Sequence, residues 1–283
     1  VIESRGLGDV YKRQIIIFSV LEKDPWMSLY TFFIQPLTTG FGVTELIVKA
    51  TPLILIGVGL SIGFKANVWN IGAEGQFTMG AIAGGGTALF LNTQESFLVL
   101  PAVLLMGILG GVVWGMIPAF LKTKFNANEI LTSLMLSYVA LLILSYLVHG
   151  PWRDPGGYNF PESEIFSDFA MLPILLEGTR LNLGTLFALL SVLIIYILLS
   201  RTVLGYQFKV VGLAPAAAKH AGFDRAKLIW LSMIISGGLA GLAGISEVSG
   251  TIGQLLPSVS PGYGFTAIIV AFLGRLNPVG VLF

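Results

Sequence analysis

Residues 65–86 read KANVWNIGAEGQFTMGAIAGGG and lie between two strongly apolar runs. Asn67, Asn70, Glu74 and Gln76 place amide and carboxyl groups there, separated by Gly72 and Gly75. Amides donate and accept hydrogen bonds without charge, whereas a carboxylate only accepts. Such a set can cap a helix or touch an uncharged polar solute; it contains no nucleophile. Asn70 is expected to cap a helix starting at Ile71, its side-chain oxygen accepting a backbone N–H. Glu74 and Gln76 then fall in the first two turns, and the glycines let another backbone lie against this end. Two readings stay open: a capped helix at the water interface, or a tightly packed inner junction lining a translocation route.

A second junction is KFNANEILTSLMLSYVA, residues 124–140. Asn128 is placed to cap a helix with Glu129 at its first position and Thr132 on the next turn. An acid in a first turn is favoured by the helix dipole and needs no further role. The alternative is an inner gate in which the two Asn-rich starts meet, Asn70 near Asn128. Thr78, Ser133 and Ser137 add hydroxyls on the same helices. The third feature is RTVLGYQFKVVGLAPAAAKHAGFDRAK, residues 201–227. Pro215 suits a first helical turn and Gly222 a helix stop, with a strongly helix-forming stretch between them. A short, basic, exposed helix results. It is either a solvated connector or a docking element for a soluble partner. Gly205, Tyr206, Lys209, Gly212, Ala217, Lys219 and His220 interleave small, aromatic and basic groups, which favours docking.

The chain carries no phosphate loop of the form G-x-x-x-x-G-K-[ST], so it is not expected to hydrolyse ATP itself. It has no H-E-x-x-H or G-x-S-x-G pattern. There is no cysteine, and His149 and His220 have no metal-ligand spacing. Intramembrane ionisable residues, which ion-coupled carriers need, are few. Glu45 and Glu247 fall near helix ends. An enzyme is therefore not expected, and neither is a bound metal or cofactor.

Composition gives the class. Of the 283 residues, 55% are hydrophobic and 11% charged, with a net charge of +1, and the mean hydropathy is +0.85. Soluble domains run to roughly 25% charged. The chain is expected to be an all-α, polytopic integral membrane protein with no affinity for nucleic acid. A helix needs about 20 mostly apolar residues to cross the hydrocarbon. Candidate spans are 45–64, 71–91, 97–121, 129–149, 181–200 and 228–248, with a shorter one at about 263–274. Residues 29–42, interrupted by Pro36 and Gly40, read as a short interfacial or re-entrant piece. The runs do not alternate, which argues against a membrane β-barrel.

Loop charge sets the orientation. Loops 122–128 and 201–227 are basic, whereas loop 150–180 carries five acids against two arginines and loop 92–96 has no base. Basic loops face the cytoplasm. With one span between successive loops the sides must alternate. This places 65–70, 122–128 and 201–227 inside, and 92–96, 150–180 and 249–262 outside. Glycines at four-residue spacing, Gly59/Gly63, Gly80/Gly84, Gly107/Gly111/Gly115 and Gly237/Gly241, mark faces where helices approach closely. Residues 1–14 contain DVYKRQ, which resembles a translated sequencing adapter. They read as non-native, with 15–21 the stump of a first helix and 15–283 one transmembrane domain.

NVWNIGAEGQ at 67–76, NEILTSLMLSYVA at 128–140, GYQFKVVGLAPAAAKHAG at 205–222 and SPGYGFTAIIVAFLGRLNPVG at 260–280 together resemble the permease subunits of bacterial ABC importers. The similarity lies in the simple-sugar and nucleoside branch of the branched-chain-type superfamily and covers about residues 20–283. The outer loop GPWRDPGGYNFPESEIF is similar to that of the nucleoside-type members. The resemblance implies a helical permease in a bacterial cell membrane that takes up nucleosides, or simple sugars, by alternating access. It further implies a second permease subunit, an extracytoplasmic substrate-binding lipoprotein, and cytoplasmic ATP-binding subunits that hold ATP and Mg2+. Residues 215–222 would be the coupling helix. Family members often carry Asn where this chain has Ala214, so the cap of that helix is weaker here. Against the family the chain lacks part of the first helix and the last helices. An ATP-independent channel or carrier is the reading of a different class.

Overall fold

The computed structural model describes residues 24–283; the expectations for 1–14 and 15–21 lie outside the described residues. The described chain is helical, and a single bridge between Ile174 and Asn182 is the only β pairing among the described residues. It divides into two compact units at Ile47/Val48.

In the first unit, α1 (Pro25–Leu29), a π turn (Tyr30–Ile34) and α2 (Gln35–Thr38) follow one another. Asp24 caps α1, its carboxylate accepting from Trp26 N and Met27 N. The chain breaks at Thr39, which is extended, and α3 (Gly40–Lys65) begins. Residues 29–42 are therefore helical up to Thr38, and the helix resumes at Gly40.

The remaining helices are α4 (Ala73–Phe90), α5 (Val99–Phe125), α6 (Glu129–His149), α7 (Gly184–Arg201), α8 (Val203–Leu213), α9 (Pro215–His220), α10 (Arg225–Glu247), α11 (Tyr263–Leu273) and α12 (Pro278–Leu282). Among the described residues, five segments are long and apolar enough to cross a membrane: α3, α5, α6, α7, and α10 extended by a π turn to Ile252. The fold is thus that of an all-α polytopic membrane protein. The end that bears loops 122–128 and 201–227 is called the basic end below, and its opposite the far end.

The core is the packing of α4, α5 and α10, and glycine makes it. A side chain on Gly237 would stand 2.6 Å from the Gly111 carbonyl oxygen, and one on Gly111 would stand 2.7 Å from Gly241 Cα. Gly80 faces Gly241 in the same way, and Gly84 and Gly107 receive Ile245. Lipid gives helices no hydrophobic reason to associate, so backbone approach of this kind must supply the packing. The four-residue glycine rows on α4, α5 and α10 read from the sequence are these contacts, and Gly59 of α3 meets Ser236 of α10. α4 is deeply enclosed: Ala73, Phe77, Ala81 and Ala88 are fully buried.

Two segments between the spans enter the bundle. Residues 66–72 remain within the bundle, with Ala66, Val68 and Asn70 buried, and α4 starts only at Ala73. The segment 253–262 begins at the far end, where Ser163 N donates to the Leu255 carbonyl (3.0 Å). It then descends: Leu255 packs on Gly85, and Val259 is buried. α11 starts at its foot and ends near the basic end, where Phe272 stacks on Phe64 and Trp69. At roughly 1.5 Å per residue α11 is about 16 Å long, half a hydrocarbon core. The expected outer loop 249–262 is therefore half re-entrant, and the span at 263–274 is a half-helix. The physical reason is Gly264. It lets the backbone of α11 press against Ala73 and Glu74, which a side chain would forbid.

Candidate functional site

The two re-entrant segments meet at Glu74. Its carboxylate accepts the Gly264 N–H at 2.6 Å and so caps α11 from a different helix. Glu74 is fully buried. A free N–H at a helix start is an orphan donor, and inside a membrane no water can satisfy it.

Asn70 does not cap a helix at Ile71 as expected. α4 starts two residues later, with Gly72 at the cap position. The Asn70 amide instead pairs reciprocally with Gln76: Asn70 Nδ2 donates to Gln76 Oε1 (2.8 Å), and Gln76 Nε2 donates to Asn70 Oδ1 (3.1 Å). Asn70 Nδ2 also reaches Ser236 Oγ on α10 (2.9 Å), and Asn70 Oδ1 accepts Gly72 N–H (3.1 Å). Two further backbone donors of this start are taken by α6, with Ile71 N donating to Ser133 Oγ and Gly75 N to Ser137 Oγ, both 3.2 Å. Gly72 and Gly75 permit that approach; a side chain on Gly72 would stand 2.7 Å from the Ser133 carbonyl oxygen. Asn67 is exposed, left-handed at φ 55, and accepts from Trp69 Nε1.

Asn128 does cap α6, accepting Ile130 N–H at 2.9 Å. It does not meet Asn70; Ser133 and Ser137, one and two turns further along, occupy that contact. Glu129 makes an ion pair with Lys122 of α5 at 2.9 Å, which ties α5 to α6. The Thr132 hydroxyl donates back to the Asn128 carbonyl. The expected constellation therefore splits. Asn70 and Gln76 form a buried network with Ser236, Glu74 caps α11, and Ser133 and Ser137 take backbone N–H groups of the same segment, while Asn128, Glu129 and Thr132 finish the neighbouring helix end.

The region 201–227 contains two helices. α8 is capped by Thr202, and α9 begins at Pro215 with no side-chain cap at Ala214. Gly205 is needed for the sharp turn from α7, because a side chain would collide with the Leu199 backbone. Gly212 lies on the Lys65 carbonyl at the end of α3. Phe208, Val211 and Ala218 anchor the pair in the core, whereas Lys209, Pro215, Ala217, Lys219, His220 and Gly222 are exposed. A cleft of about 530 Å3 opens between α9 and the start of α10, lined by Pro215, Lys219, Phe223 and Arg225 among others.

One cluster could not be read from sequence. Lys49 of α3 donates to Tyr263 Oη (3.0 Å) and forms an ion pair with Glu247 (3.3 Å). The Lys49 ammonium also lies 5.8 Å from the Tyr263 ring centre. These residues come from three helices, and Lys49 stands 198 and 214 positions from the other two. The one sequence signal was a lone lysine inside an apolar run, where insertion of Lys costs about 2.5–3.5 kcal/mol at mid-depth.

A bundle with half-helices that start inside it, and a short exposed helix at its basic end, is the build of a transporter's membrane subunit. Residues 42–283 match the family described as branched-chain amino acid transport system / permease component, and the chain belongs to that family. It is 40% identical over 271 residues to the glucose ABC transporter permease protein TsgB13 of Haloferax volcanii, covering 92% of this chain and 71% of that protein. It is 33% identical over 247 residues to the guanosine ABC transporter permease protein NupP of Bacillus subtilis (85% and 69%). Identity to the nucleoside ABC transporter permease protein NupB of Lactococcus lactis is 29% over 276 residues (95% and 76%). No solved structure matches the chain. The protein is a multi-pass membrane permease component of an ABC importer.

Proposed function

We propose that this permease imports a neutral, hydroxyl-rich solute, a nucleoside in the first place, by alternating access driven by ATP hydrolysis in a partner chain. The 40% identity to TsgB13 favours a simple sugar as the second reading. Partners are a cytoplasmic ATP-binding subunit carrying ATP and Mg2+, a second permease subunit and an extracytoplasmic binding protein. This chain supplies no hydrolytic group and binds no cofactor.

The observation that carries the reading is the mounting of α9. Its outer face is exposed over a cleft, while Ala218 fixes its inner face. Through α8, Gly212 touches the end of α3, from which residues 66–72 lead to the Asn70–Gln76 pair and the Glu74–Gly264 cap. A displacement of α9 by a soluble motor is passed by backbone contact to the place where both re-entrant segments meet. Packed backbones shift between discrete arrangements, so a small push can switch the junction.

The test is Lys219→Glu combined with His220→Glu in the assembled transporter. ATP-driven uptake of labelled guanosine or glucose is expected to fall while membrane insertion persists; normal uptake would refute the docking role. Solute movement by the purified chain with no ATPase present would establish the ATP-independent alternative instead.

A further inference from the structure

Lys49 and Glu247 have no part in the junction or in the coupling segment, Tyr263 adjoins the junction at Gly264, and the placement of the three together calls for a use. Lys49 lies about 24 Å from Lys65 along α3, at roughly 1.5 Å per residue. This is in the half of the bundle toward the far end. Its side chain is 55% exposed, whereas that of Glu247 is 6% exposed. An ammonium half open to hydrocarbon is disfavoured, and a snorkelling lysine would run along its own helix toward the interface. This one is instead held sideways by groups from α10 and α11.

The surroundings are built for hydrogen bonding. Next to Glu247 the chain passes into the π turn Val248–Ile252, a geometry that recurs at functional sites. A small cavity beside it, of about 10 Å3 and so with room for one water, is lined by Thr51, Asn182, Ser246, Glu247 and Thr251 among others. The Ser246 hydroxyl in that lining is buried and has no hydrogen-bond partner. Tyr263 is the first residue of the half-helix α11, and half-helix starts inside transporters are where substrates are met.

We infer that Lys49 and Glu247, positioned by Tyr263, contact the cargo directly. Lys49 is the donor and Glu247 the acceptor for two neighbouring hydroxyls of an uncharged polyol, such as a ribose or hexose ring. A fixed donor beside a fixed acceptor matches a vicinal diol, in which each hydroxyl can play either part. The net charge of the pair is zero, so it does not attract an ionic cargo. This inference rests on the neutral, hydroxyl-rich cargo proposed above.

The test is transport by the complete importer in proteoliposomes, comparing labelled ribonucleoside with its 2′,3′-dideoxy analogue, and glucose with a deoxyhexose. Lys49→Met is expected to reduce uptake of the hydroxylated solute about tenfold and bring the hydroxylated-to-deoxy preference close to one, as loss of one charged hydrogen bond implies. Lys49→Arg should retain that preference. If Lys49→Met fails to copurify with the ATPase, Tyr263→Phe replaces it. That variant removes a single hydroxyl and is expected to raise KM for the hydroxylated solute several-fold and leave KM for the deoxy analogue unchanged. Wild-type uptake with an unaltered preference in the variant overturns this inference and leaves the proposed function standing. Failure of the wild type to take up any of the hydroxylated solutes overturns both.

Discussion

The Asn70–Glu74–Gln76 junction and helix α9 are both short polar interruptions of an apolar chain, and they differ in where their hydrogen bonds end. At the junction the amides and the carboxylate are buried and satisfied by one another, by serines of α6 and α10, or by the start of α11. On α9 the lysine and histidine face outward, and the helix start at Ala214 has no side-chain cap. Polar groups inside a membrane bundle must close on themselves, because an unmatched one costs as much as a lost hydrogen bond or more. Those at its surface are free to wait for a partner. The first region is accordingly read through stability and the second through coupling.

Substitutions can break this contrast. The largest effect is expected from Gly264→Leu. Its side chain would fall on the backbone of Ala73 and Glu74 and separate the two re-entrant segments. Overpacking of this kind costs about 3 kcal/mol or more, and size-exclusion chromatography in detergent should show no monodisperse transporter. Next comes Asn70→Leu, which strands the Gln76 amide and the Gly72 N–H. At about 1–3 kcal/mol for an unsatisfied group, it should lower the unfolding temperature clearly, yet leave enough folded protein to assay. Asn128→Ala removes a cap from α6 alone and should cost about 1 kcal/mol in the same melt. Lys219→Glu with His220→Glu is the smallest in stability, within about 0.5 kcal/mol. It is the one expected to abolish coupling, measured as uptake at saturating ATP. A large drop in unfolding temperature for this pair, or full activity with it, would erase the distinction between the two regions.

The spans were legible because each is a long apolar run, and no other element can cross a bilayer with its backbone satisfied. The glycine rows were legible because four-residue spacing puts them on one face. Asn128 was a correct cap because capping is local, with donor and acceptor two residues apart. Asn70 was misread for the converse reason. Its partner Ser236 is 166 residues away, the helix it was expected to start begins only at Ala73, and the neighbouring Ile71 and Gly75 N–H groups are taken by Ser133 and Ser137 of another helix.

By itself, then, the sequence determined the class of the protein, the position of its long helices, and the short basic segment at residues 215–222, all through composition and short-range periodicity. Tertiary structure alone decided that residues 66–72 and 253–262 dip into the bundle, that Glu74 accepts the N–H of Gly264, 190 positions later, and that Lys49 meets Glu247 and Tyr263. These depend on which backbones can touch. In a membrane that is decided by glycine fit and by the need to satisfy every buried polar group, conditions that only the assembled bundle imposes.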